Sequence, residues 1–338
     1  MSFGGGQVRR RYFLKVIAGG AAAWPVAAFA QQPNTVRRIG VLLGLSTGPE
    51  DPGAGEILRP LKVTMRDVGW IEDTNVRFEI RFGGGNMARI AAAADELVAL
   101  APDLIYATGL PPVQALRQRT GTIPIVFSLV ADPVGFGLIN SLSRPGGNIT
   151  GFVVWDLSIG GKWMQLLQEI GPDLQRVGIM YNPDTAPYAP PLIASAKASA
   201  IRNVTVIELH IRNDSDIQAA ASSLANRPNG GLLIIPEPFT NANRDKIIAQ
   251  SDQLRLPTLN PVFGAADRGA LISYTYAFDV MMRQPASYID RILRGESPSN
   301  LPVQAPTKYL LSINLKVAKT LGLNVPQTLL GIADRVIE

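Results

Sequence analysis

Two sets of strand-like runs, in the same order and roughly 130 residues apart, constrain this chain more than any other feature. Ile39-Gly40-Val41-Leu42-Leu43 answers to Val177-Gly178-Ile179-Met180-Tyr181, and Asn75-Val76-Arg77-Phe78 to Asn203-Val204-Thr205-Val206. Asp103-Leu104-Ile105-Tyr106 lines up with Gly231-Leu232-Leu233-Ile234, Ile123-Pro124-Ile125-Val126 with Leu256-Pro257-Thr258-Leu259, and Gly147-Asn148-Ile149-Thr150 with Gly269-Ala270-Leu271-Ile272. The offset drifts from 177 − 39 = 138 at the first pair to 272 − 150 = 122 at the last, so loops change length while order is kept. Solenoid repeats span about 20–50 residues, so an offset this long means two similar domains.

Each half alternates apolar runs with helix-length segments, such as Met87 to Leu100 after Val76 to Phe82. Runs apolar at nearly every position suit parallel strands buried on both faces. The fold expected is α/β, with two doubly wound parallel-sheet lobes. The first helix is read around Glu56 to Val68, and a closing strand-helix unit, Leu310 to Leu321, completes the second lobe. A hydrophobic content of 46 % over 338 residues supplies cores for two domains of about 150 residues each.

The first thirty residues stand outside that pattern. Arg9, Arg10, Arg11 and Lys15 precede an apolar stretch from Val16 to Phe29, and Ala28-Phe29-Ala30 places small residues where a signal peptidase cuts, so cleavage is expected after Ala30. Arg10-Arg11-Tyr12-Phe13-Leu14-Lys15 is similar to a twin-arginine export signal, with Arg9 in place of the usual Ser or Thr. The apolar stretch falls short of the roughly 20 residues that span a bilayer. The protein is therefore expected in the periplasm.

The net charge of +5 does not point to nucleic acid. Residues 1–30 carry four basic and no acidic side chains, which leaves 5 − 4 = +1 for the remainder, and no dense basic run follows. With no cysteine in the chain, disulfides, thiolate metal sites, cysteine nucleophiles and lipid-modified N-terminal cysteines are excluded. No cofactor is expected: Gly161-Lys162 is followed by Trp163, not the Ser or Thr of a phosphate loop, and Gly83-Gly84-Gly85 lacks dinucleotide-fingerprint spacing. Gly44-Leu45-Ser46-Thr47-Gly48 matches a hydrolase nucleophile elbow, but Pro49 to Gly53 prolong the loop before a helix. The sole histidine, His210, reads as a strand-end residue of the other half. A serine hydrolase using Ser46 is the enzymatic alternative.

Open parallel sheets bind ligands at the carboxyl ends of their strands. In the first half those ends carry Ser46 and Thr47, Thr108 and Gly109, then Ser128 with Asp132; in the second they carry Tyr181 and Asn182, Glu237, Asn260-Pro261 and Tyr274. Hydroxyls and backbone N–H groups ahead of the helix started by Pro111 or Pro112 suit a carboxylate. Asp132 or Glu237 suits an ammonium group, and Trp155, Tyr181 and Tyr274 suit an apolar ligand body.

Several stretches resemble one family in particular: Ile123 to Phe127 with Asp132-Pro133-Val134, Ser143-Arg144-Pro145-Gly146-Gly147-Asn148-Ile149-Thr150-Gly151, Tyr288 to Leu293 with Gly295, Leu301 to Gln304, Asn314-Leu315, and Ala333 to Glu338. Over nearly the whole chain after residue 30, the sequence is similar to the ABC transporter substrate-binding proteins of the tryptophan/tyrosine transport type, with the type I periplasmic binding fold. The resemblance implies three crossings between lobes, near 151–155, 274–277 and 304–308, acting as a hinge. It implies lobes of residues 36–152 plus 277–305 and 153–275 plus 306–338. It also implies a small-molecule solute, an amino acid or aromatic carboxylate, bound by a monomer and passed to an ABC permease of the inner membrane with its ATPase. A ligand-sensing partner of a membrane receptor is the other alternative. Thr275 departs from the family pattern, which has glycine after Ser-Tyr.

Overall fold

The first sheet holds β1 (Arg37–Leu43), β2 (Val76–Phe82), β3 (Leu104–Thr108), β4 (Ile125–Val130) and β5 (Ile149–Val153), in the order β2-β1-β3-β4-β5 with every pairing parallel. Helices α1 (Pro52–Asp67), α2 (Met87–Ala99) and α3 (Leu110–Arg117) connect the first strands. The structure is a computed structural model that describes residues 1–2, 36–201 and 203–338. The expected export signal and the expected cleavage after Ala30 fall outside the described residues.

Strand β1 shows why the sheet is covered twice. Ile39, Val41 and Leu43 enter one core with Ala54, Ile57, Leu61 and Met65 of α1, while Leu42 points to the other face with Ile90, Ala94 and Leu97 of α2 and Val113 and Leu116 of α3. Successive side chains of a strand alternate between faces, so a strand apolar throughout requires helices on both.

The second sheet repeats the order with β6 (Arg176–Tyr181), β7 (Thr205–His210), β8 (Gly230–Ile234), β9 (Thr258–Leu259) and β10 (Ile272–Tyr276) as β7-β6-β8-β9-β10. Helices α4 (Ile159–Ile170), α5 (Ala189–Ser199), α6 (Asp214–Ala225), α7 (Pro238–Ala242) and α8 (Arg244–Gln253) belong to it. Next in the chain comes α9 (Phe278–Leu293), which returns to the first sheet and buries Met281, Met282, Tyr288, Ile289 and Ile292 in the core shared with α1. At roughly 1.5–3 kcal/mol per buried side chain, α9 is part of that core and not a linker.

The chain then goes back to the second sheet as β11 (Tyr309–Asn314), followed by α10 (Leu315–Leu321), α11 (Gln327–Ile332) and β12 (Arg335–Ile337). Strand β11 is antiparallel to β10, so the second sheet is not wholly parallel as the sequence reading had it. The cause is the route: residue 308 re-enters beside the point where β10 leaves, with the Ala277 N–H donating to the Lys308 carbonyl at 3.0 Å, and the returning strand runs the other way.

Register tests the duplication residue by residue. Ile39 pairs with Phe78 and Val177 with Val206, as the alignment of the first two strand pairs requires. The third pair is corrected by one residue. The Ile105 N–H donates to the Pro124 carbonyl and the Leu232 N–H to the Pro257 carbonyl, both at 2.8 Å, so Ile105 answers to Leu232 and not to Leu233. Every residue of β3 and β8 is buried, and a strand apolar on both faces carries no alternation to fix its register.

Three segments pass between the sheets, and they are tied to one another. The Val153 N–H donates to the Gln304 carbonyl at 2.9 Å, the Gln304 N–H to Gly151 at 3.1 Å, and the Val154 N–H to Val130 at 3.1 Å. No helix among the described residues is long and apolar enough to cross a membrane.

Candidate functional site

At the carboxyl end of the first sheet, Leu43 pairs with Thr108 and Thr108 with Ser128, which brings three of the expected tips side by side. The Gly44 N–H donates to Thr108 Oγ1 at 3.3 Å, and the Gly109 N–H to the Ser128 carbonyl at 2.9 Å. The loop carrying Ser46 and Thr47 is pinned by Gly84 N–H to the Ser46 carbonyl and Gly85 N–H to the Gly44 carbonyl. Ser46 is buried, whereas Thr47 is exposed and spends both its N–H (2.9 Å) and its hydroxyl (3.2 Å) on Asp51 Oδ2. Asp51 also accepts from Gly53 and caps α1, and the N–H donors of Thr47 and Gly53 hold its carboxyl below the usual range. The helix thus starts at Pro52, ahead of the Glu56 expected from the sequence, and still six residues after Ser46.

Helix α3 offers an anion less than expected. Gly109, at φ 86°, supplies no side-chain cap, its N–H is taken by Ser128, and Pro111 and Pro112 have none. What is left for a carboxylate at that helix start is the Leu110 amide and the Thr108 hydroxyl. Ser128 Oγ is fully buried near the Tyr106 phenol without reaching hydrogen-bond geometry, and burial pushes that phenol far up. Asp132 is half-buried, with Oδ1 accepting the Gly135 N–H at 2.8 Å and Oδ2 left for another donor.

In the second sheet the expected residues separate into two groups. Asn182 and Glu237 meet, through the Asn182 N–H on Glu237 Oε1 at 3.4 Å. Glu237 is 2 % exposed and caps α7, accepting from Phe239 N–H, Thr240 N–H and the Thr185 hydroxyl as well. A carboxylate has about four acceptor positions, and four donors fill these. Glu237 therefore holds structure and has no acceptor position left over for a ligand ammonium.

Tyr181 turns away toward the edge of the sheet. Its hydroxyl donates to Glu208 Oε2 at 2.8 Å and lies 3.0 Å from His210 Nε2, while Lys197 Nζ reaches Glu208 Oε1 at 2.7 Å. Burial, then Glu208, pushes the Tyr181 phenol up to about 12; Lys197, then Tyr181, holds the Glu208 carboxyl below its ordinary value. His210 ends this edge strand, and among the described residues no hydrogen bond joins it to Ser46.

The aromatics expected around a ligand form a packed group at the crossings. Trp155 stands edge-on to Trp163 with ring centres 5.7 Å apart and lies 6.3 Å from Tyr188, its buried indole N–H without a partner. Trp163 donates to the Tyr274 carbonyl at 3.0 Å, and Tyr274 stacks on Tyr309 at 5.4 Å, half-buried. Trp163, Tyr188 and Tyr276 are absent from the expected residues: Trp163 lies on α4 and Tyr188 at the cap position of α5, where the strand-tip rule does not look, whereas Tyr276 ends β10, two residues beyond the expected Tyr274. Thr275 is a buried strand residue paired with Leu310, so its departure from glycine does not disturb the backbone.

Residues 46–337 match the family described as ABC transporter substrate binding protein. The chain belongs to that family. A tyrosine-binding protein of Clostridioides difficile strain R20291 is 26 % identical over 289 residues, covering 83 % of this chain and 81 % of the relative. A conserved domain protein from Vibrio cholerae is 28 % identical with a TM-score of 0.77, covering 89 % of this chain and all of that one. An ABC domain from Streptococcus pneumoniae in complex with L-Trp is similar in fold, with a TM-score of 0.78 at 21 % identity over 90 % of this chain and all of its own. Members of the family are exported, bind small-molecule solutes and work with a permease and its ATPase, so the chain is a transporter's substrate-binding component and not a catalyst.

Proposed function

We propose that this protein captures an amino acid or a related aromatic carboxylate between its two lobes and delivers it, as a periplasmic monomer cleaved after Ala30, to an inner-membrane importer. One lobe is residues 36–152 with 277–305, and the other is residues 153–275 with 306–338. Ser46, Thr108, Gly109, Ser128 and Asp132 face the solute from the first lobe, and Asn182, Trp155 and Tyr274 from the second. Thr47, Tyr181 and Glu237 hold those tips in place. The observation that carries this reading is the packing of Leu129 and Ala131, at the carboxyl end of β4, against the core of the second lobe. It turns the tips of one sheet toward the other lobe, where a ligand belongs in an open α/β fold. The tyrosine-binding relative and the L-Trp complex favour an amino acid.

A thermal-shift screen of amino acids, aromatic acids, purines and sugars tests the reading. A compound at 100 times its dissociation constant adds about 2.7 kcal/mol of stability, which moves the melting point visibly. L-Tyrosine, L-tryptophan or an aromatic acid is expected to do so. Stabilisation by sugars or purines alone refutes the solute class.

A further inference from the structure

Among the described residues, two partly buried apolar side chains pack against the cores of both lobes: Leu129 and Tyr276. Leu129 reaches across because of a bulge. Phe127 pairs with Gly151 and Val130 with Val153, so β4 spends one residue more than β5 over this stretch. At φ 61°, Leu129 occupies the left-handed region that a bulky side chain avoids. Gly151 permits the close approach there, since a Cβ on it would stand 2.2 Å from the Phe127 carbonyl oxygen. Bulges of this kind re-aim side chains beside functional sites.

Leu129 lies beside one crossing between the lobes, and Tyr276 lies within another. The first crossing is tied to the bulge by the Val154 N–H on the Val130 carbonyl, and Tyr276 precedes Ala277, whose N–H holds Lys308 of the third crossing. The contacts are apolar, since both side chains pack against hydrophobic cores on either side. Apolar contact is non-directional, so it persists through a rotation that would break a hydrogen bond.

We propose that Leu129 and Tyr276 form the pivot on which the lobes turn, seated by the left-handed bulge of β4. This deepens the proposed function and rests on its reading that the lobes close on a solute. A pivot that keeps the lobes aligned before binding reduces the freedom lost on closure.

The chain has no cysteine, so spin labels at Glu50→Cys and Asn241→Cys, both exposed and one in each lobe, report the interlobe distance without interference. Leu129→Gly and Leu129→Asn both tolerate the left-handed backbone and remove the apolar contact. In each, the distance distribution of the unliganded protein is expected to at least double in width, while Tyr276→Phe leaves it unchanged. Where L-tyrosine binds the parent protein, its affinity falls about tenfold in the two Leu129 variants. Tyr276→Ala, which leaves the bulge intact, decides the same question should the Leu129 variants not fold. Unchanged widths in the Leu129 variants, or in Tyr276→Ala, overturn the pivot. Broadening in a protein that binds neither L-tyrosine nor L-tryptophan supports the pivot and tells against the solute reading instead.

Discussion

Glu237 and Asp132 are both acidic residues at strand ends, and their neighbours give them opposite parts. Four donors occupy the Glu237 carboxylate, so Glu237→Ala strands the start of α7 and is expected to cost about 2–4 kcal/mol in urea unfolding. Asp132 has one oxygen engaged by its own turn, so Asp132→Ala is expected to weaken solute binding while leaving the circular dichroism spectrum and unfolding midpoint close to the parent's. Unchanged affinity in calorimetry removes Asp132 from the site. Such distinctions are hard to read from sequence, because acceptor occupancy depends on donors such as Thr185 and Asn182, some 50 residues away. Glu208 gives a test in pH. Its folded carboxyl sits below the ordinary glutamate value, so its contribution is complete above that ordinary value and is lost as acidity carries the pH down through the folded value. Glu208→Gln is therefore expected to narrow the gap between unfolding midpoints measured at pH 7 and pH 3.5.

Elements were legible wherever two-faced burial or turn chemistry wrote a pattern, and elusive where it did not. Strands β1, β2, β6 and β7 fell in register with one another from sequence, while β3 and β8 slipped by one residue because neither has a polar face. The start of α1 was misplaced although Asp51-Pro52 is a strong signal of a cap followed by proline. Asp51→Ala is expected to lower the unfolding midpoint and to loosen the loop of Ser46 and Thr47, seen as faster amide exchange there. The bulge of β4 left no trace in sequence, since leucine is a poor residue for that backbone. Gly151→Ala places a methyl carbon against the Phe127 carbonyl and is expected to destabilise the first lobe by more than about 2 kcal/mol.

At the scale of the whole molecule, the duplication and the two-lobed plan could be read before any coordinate, because strand order survives changes in loop length. The antiparallel β11 could not, since its direction follows from where the chain re-enters the second sheet. Of the expected site, the first-lobe tips Ser46, Thr108, Gly109 and Ser128 are contiguous, whereas Tyr181 and Glu237 serve the second lobe's own framework. Aromatic type alone did not reveal which rings support the crossings and which are free for a guest. Small-angle X-ray scattering, with and without the compound that stabilises the protein most, tests directly that the solute is enclosed between moving lobes. The radius of gyration is expected to fall on saturation; a protein that binds the compound with its radius unchanged contradicts the account.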